Sequence, residues 1–129
     1  MEDKEIVEGN RLIALFEGYR EIPNWDVYDF GYTRHPTINV GCYGDIQLEY
    51  HRKWGWLMPV VEKIEKIPME DGRGEVNPIV TIECNYCIIS QGGENTIVEV
   101  VWADEERTKI QAVWQAAVEF IKWYNTHNQ

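Results

Sequence analysis

Ile79-Val80-Thr81-Ile82-Glu83-Cys84-Asn85-Tyr86-Cys87-Ile88-Ile89-Ser90 alternates along an extended chain. Val80, Ile82, Cys84, Tyr86 and Ile88 fall on one side, and Thr81, Glu83, Asn85 and Cys87 on the other. A period of two is what a half-buried antiparallel strand shows. Gln91-Gly92-Gly93-Glu94-Asn95 has turn chemistry, and Thr96 to Trp102 returns with Val98, Val100 and Trp102 on one face. The reading is a hairpin in the C-terminal half.

The segments around it have the helical period instead. Downstream, Asp104 is placed to cap a helix with Glu105 and Glu106 in its first turn. Ile110, Val113, Trp114, Ala117, Phe120, Ile121 and Tyr124 give that helix a broad apolar stripe, and Asn125 to Gln129 reads as a fraying tail. Upstream, Leu57, Val60, Val61, Ile64 and Ile67 form the stripe of a central helix. It is expected to begin close to Trp56, because Pro59 is tolerated only in a first turn, and to end before Pro68. Glu70-Asp71-Gly72-Arg73-Gly74-Glu75 reads as an exposed loop. At the start, Asp3 can cap a helix running to about Glu17, with Ile6, Leu12, Ile13 and Phe16 inward and Gly18 as terminator.

Residues 19 to 53 have no such clarity. Trp25, Val27, Tyr28, Phe30 and Tyr32 lie in short strand-like pieces broken by Pro23, Pro36, Gly41 and Gly44. Ile46, Leu48 and Tyr50 alternate with polar residues as a strand would, yet Asp45 is equally compatible with a helix start. The expected class is α+β: an antiparallel sheet with a C-terminal β-hairpin, packed against about three helices (N-terminal, central and C-terminal). Residues 1–129 read as a single domain, without repeat or linker.

Composition narrows the function classes. Of the residues, 44% are hydrophobic and 12% aromatic, enough for a core without disulfide or metal staples. Twelve Lys and Arg against 22 Asp and Glu leave a net charge of −10, which argues against a general nucleic-acid-binding face. No apolar run nears bilayer length, and Met1-Glu2-Asp3-Lys4-Glu5 is too polar for a signal peptide. The expectation is a soluble intracellular protein with no membrane contact. The odd count of three cysteines fits a reducing compartment.

No motif announces a reaction. Cys84-Asn85-Tyr86-Cys87 has C-x-x-C spacing, but residues three apart on one strand point to opposite faces, and no second Cys or His pair stands at zinc spacing. Core packing for Cys84 is the simpler reading. His35, His51 and His127 stand apart from any nucleophile motif, and no Walker loop, dinucleotide fingerprint or EF-hand occurs. No catalytic residues, metal site or cofactor are expected. Charge distribution carries more. Between Gly31 and Met69, five bases (Arg34, Arg52, Lys53, Lys63, Lys66) face four acids (Asp45, Glu49, Glu62, Glu65), a net +1 that leaves −11 elsewhere. Tyr32, Tyr43, Tyr50, Trp54, Trp56, His35 and His51 share that segment. Aromatic faces beside cations suit a nucleotide-like anion, so Arg34, Arg52, Lys53, Trp54 and Trp56 form the candidate ligand site. For any one of them, core packing or simple solvation is the better explanation; only the cluster as a whole is the candidate.

Two segments carry a resemblance. Trp56-Leu57-Met58-Pro59-Val60-Val61-Glu62-Lys63-Ile64-Glu65 and Ala117-Val118-Glu119-Phe120-Ile121-Lys122-Trp123-Tyr124-Asn125 resemble helices of small bacteriophage and prophage proteins similar to the phage ABA sandwich domain. The resemblance covers roughly the C-terminal half and supplies no catalytic residues. It implies an origin in a phage, action in the bacterial host cytoplasm, and binding rather than catalysis. One expectation is a non-enzymatic protein that sequesters a nucleotide-derived signal of host antiphage defence. The alternative is an acidic protein–protein inhibitor or nucleic-acid mimic acting on a host enzyme. A hydrolase built from dispersed His and carboxylates is a third, and homo-oligomerisation is compatible with all.

If the core stands on apolar packing alone, EDTA and a reducing agent leave the thermal midpoint unchanged. Differential scanning calorimetry tests this, and a fall of several degrees with either reagent would show a structural metal or disulfide.

Overall fold

The computed structural model describes residues 3–18, 27–30, 33–39, 45–70, 74–83, 86–91, 95–101 and 108–127. Among these residues the chain forms an α+β fold of three helices and antiparallel strands. Helix α1 spans Asp3–Phe16. Gly18, at φ +101°, closes the C-terminal end with its N–H on the Leu15 carbonyl at 3.1 Å, a backbone setting that suits glycine.

The strand-like pieces after α1 are strands. β1 (Val27–Phe30) pairs with the first half of β2 (Thr33–Asn39), and β3 (Asp45–Gln47) pairs with its second half. Pro36 sits at the changeover, where neither ladder needs an N–H from both sides. Asp45 therefore begins a strand and not a helix. Leu48 and Tyr50 are buried beyond its end. The chain then turns, with the N–H groups of Arg52 and Lys53 on the Glu49 carbonyl.

Helix α2 (Trp54–Glu65) starts two residues earlier than expected. Lys53 is its N-cap and offers no side-chain bond, while its carbonyl accepts from Trp56 and Leu57. Pro59 thus lies beyond the first turn, where its ring removes the bond to the Gly55 carbonyl. Both residues are exposed, so water can serve that carbonyl. Leu57, Val60, Val61 and Ile64 are buried as the stripe requires. The expected loop after α2 has paired ends: β4 (Met69–Glu70) meets β5 (Glu75–Val76), with Gly74 at φ +135°.

The stretch from Ile79 to Ser90 is not one strand. β6 (Pro78–Ile82) and β7 (Tyr86–Gln91) form a hairpin, with Ile82 opposite Cys87 and the Glu83 N–H on the Tyr86 carbonyl at 3.0 Å. β8 (Asn95–Val101) then completes a three-stranded sheet in the order β6-β7-β8. The reversal flips the parity of β7. Cys87 and Ile89 share the core face with Val80, Ile82 and Val98, whereas Tyr86 and Ile88 lie on the outer side. Cys84, expected in the core, lies outside the described residues. The hairpin strands precede a helix rather than close the chain.

That helix, α3 (Lys109–His127), begins later than Asp104, which lies outside the described residues. Thr108 caps it: its N–H donates to Gln111 Oε1 at 3.0 Å, and the Gln111 N–H donates to Thr108 Oγ1 at 3.4 Å. This reciprocal pair is a capping box, T-x-x-Q in sequence. At the other end the expected fray is helical through His127. The Thr126 hydroxyl donates to the Lys122 carbonyl, and His127 Nδ1 donates to the Trp123 carbonyl while its ring stacks on Trp123 at 4.5 Å.

One face of α3 covers β7 and β8, and another meets α1, which also touches β2. Trp114, Phe120, Ile121, Val113 and three alanines are buried there. α1 approaches closely because residue 9 is glycine. A β-carbon at Gly9 would stand 2.2 Å from Trp114 Cζ2 and 3.0 Å from Val118 Cγ2. Beside it, Asn10 is fully buried; its Oδ1 accepts from Trp114 Nε1 at 2.8 Å, and its Nδ2 donates to the Leu48 carbonyl at 3.3 Å and meets His51 Nδ1 at 2.8 Å.

Gly9→Ala gains up to ~1 kcal/mol of helix propensity and loses about 1–3 kcal/mol to overpacking against the indole, so a net destabilisation is expected. Phe120→Ala, which opens a cavity, costs about 3–5 kcal/mol. Urea midpoints at unchanged slope measure both, and a Gly9→Ala variant as stable as wild type would contradict the close α1–α3 contact.

Candidate functional site

The five candidate ligand residues do not share one environment. Arg34 lies on β2 opposite Asp29 of β1. Arg52, Lys53 and Trp54 are exposed at the turn into α2, with Trp54 39% accessible. Trp56 is half-buried and meets the Tyr50 ring edge-on at 5.1 Å. Tyr50 is itself in the core, and His51 is tied to Asn10. Tyr32 and Tyr43 lie outside the described residues. The aromatic part of the cluster therefore divides: Tyr50 and Trp56 pack, and Trp54 offers a face.

The two cations at the turn are already engaged. Glu49 Oε1 accepts from Arg52, and Glu49 Oε2 pairs with Lys53 Nζ at 2.6 Å. Both contacts follow from the turn, which brings positions three and four residues on back over the carboxylate. Burial alone would raise the Glu49 carboxyl above its ordinary value; hydrogen bonds from Lys53 and Arg52, together with their charges, outweigh it and hold the carboxyl below 4.5. Any anion binding to Arg52 and Lys53 must compete with this internal one.

Two concavities form elsewhere, and α3 lines both. The first, about 240 Å³, runs between α1 and α3. Its floor is Gly9, Leu12, Trp114 and Val118; its rim is Glu5, Glu8, Gln115, Glu119 and Lys122. Glu119 Oε1 accepts from Gln115 Nε2 at 2.9 Å and lies 3.8 Å from Lys122 Nζ. The second, about 490 Å³, lies between β8 and the last turns of α3 and includes Val98, Glu99, Trp123 and His127. Neither contains any of the five candidate residues. Neither is legible in the sequence: the first joins α1 to α3, about a hundred residues on, and the second depends on how α3 lies over β8. The isolated Gly9 inside a helical pattern was the one local signal.

Other chemistry has little support among the described residues. No three His, Cys, Asp or Glu side chains gather as metal ligands. The single-strand geometry that separates Cys84 from Cys87 does not hold, since the chain reverses between β6 and β7. Cys87 is nonetheless fully buried, and burial pushes its thiol up to about 12, far from a nucleophile's range. No described helix is long and apolar enough to cross a membrane. No family model, curated protein or solved structure matches the chain.

Because the folded Glu49 carboxyl is held below its ordinary 4.5, its ion pairs stabilise the fold above that pH and are lost as pH falls through the folded value. Glu49→Gln should flatten the acid limb of the stability curve between neutral pH and pH 3 or so. An acid limb identical to wild type would show that the clamp adds nothing.

Proposed function

We propose that the chain is a small, non-enzymatic binding protein whose acidic surface occupies the basic site of a protein partner. The observation that carries this reading is the division of charge. Glu49 engages both cations of the turn, whereas Glu5 and Glu8 line a groove without an ion-pair partner among the described residues. A net charge of −10 adds long-range attraction to a basic partner and repels anions. With the resemblance to small phage proteins, the partner is a host enzyme, and the site of action is the bacterial cytoplasm.

A second reading keeps the nucleotide-derived signal as ligand. Trp54 favours it, since its exposed indole stands beside Arg52 and Lys53 and offers a base a stacking face. Such a ligand would displace Glu49 and gain two cations in return.

Native mass spectrometry of the protein purified from infected, defence-active cells separates the two. A stoichiometric basic protein that dissociates as salt rises supports the first reading. A bound nucleotide, lost on Arg52→Ala and weakened by roughly 1–3 kcal/mol on Trp54→Ala, replaces it with the second.

A further inference from the structure

Resting on the acidic-surface reading, we propose that the groove between α1 and α3 is the docking site for an arginine side chain presented by a protein partner. Size is the first argument. At about 240 Å³ the groove falls below the roughly 300–1,000 Å³ of small-molecule sites, so it suits one long side chain better than a nucleotide. The lining is the second. Half-buried Leu12, over the buried Trp114 and Val118, gives the base an apolar character that suits methylene groups, and carboxylates stand at the rim for a cationic head.

The rim has a direction. Contacts advance in step from Gly9 against Trp114 to Phe16 against Tyr124, so α1 and α3 run the same way. Glu5 therefore lies towards the end of the groove opposite Lys122. There Glu5 and Glu8 have no partner among the described residues, whereas Glu119 is engaged by Gln115 and Lys122. A guanidinium entering at the Glu5 end meets two free carboxylates and keeps clear of the Lys122 ammonium. Its planar fork can bond both, which a point-charged ammonium does less well. A second copy of this chain is the poorer occupant, since both copies carry −10.

The probe is the blocked tripeptide acetyl-Leu-Arg-Leu-amide, titrated into isotopically labelled protein and followed by NMR, with the citrulline analogue as neutral control. The expected result is shifts confined to residues of the α1–α3 groove, absent with citrulline, and affinity reduced about tenfold or more by Glu5→Gln with Glu8→Gln. Both positions are exposed, so the double variant keeps the fold, and its unchanged spectrum elsewhere verifies that. Binding at other acidic surfaces, indifferent to the double variant, overturns the groove while leaving the acidic-surface reading intact. Concentration-dependent dimerisation abolished by the same variant overturns the arginine occupant in favour of a second copy. No binding of the peptide anywhere removes the groove proposal, and if host-protein capture also fails, the underlying reading goes with it.

Discussion

The buried amide of Asn10 is the contact on which the remaining arrangement rests. The Trp114 indole can only donate, so it fixes the Asn10 oxygen. The amide nitrogen must then serve the Leu48 carbonyl and His51 Nδ1, which accepts and so carries no proton. One side chain joins α1, α3 and the segment entering α2. Gly9, its neighbour, allows the approach that makes the bond reachable. A buried polar group left unpaired costs about 1–3 kcal/mol, so this geometry selects one packing of the three elements over near alternatives.

The same contact sets the electrostatics of the turn. With Leu48 held by Asn10 and Tyr50 in the core, Glu49 between them has little freedom and points back over its own turn. Arg52 and Lys53 then close on it. The two cations beside the exposed Trp54 are consequently ion-paired within the turn itself. Glu5 and Glu8, which have no ion-pair partner among the described residues, stand along α1 instead.

Much of the fold was legible because helices of this chain have clean apolar stripes. Leu57 to Ile64 and Val113 to Ile121 are buried as their spacing requires. The split of the long strand was hidden by Tyr86-Cys87-Ile88-Ile89, which is apolar on both parities and so gives no sign that the face has changed. Asp104 drew attention from the true cap because it precedes two acids, although Thr108 and Gln111 have the spacing of a capping box. For the site, residue type pointed to Arg52, Lys53 and Trp54 but not to their neutralisation, since Glu49 reaches them only once the turn exists. The α1–α3 groove was beyond reach, because its walls meet through residues 104 positions apart.

That separation also bears on how the molecule is made. α1 leaves the ribosome early, yet its glycine and its asparagine find their partner only when the indole of residue 114 has been synthesised. Until then α1 presents a buried-type polar side chain and an apolar stripe to water, and loop closure over most of the sequence must precede any reward. The sheet of β6, β7 and β8 pairs locally and can form first, but its inner face waits for the same late helix. Neither α1 nor the inner face of the sheet can therefore be covered before α3 is available, since α3 packs against both.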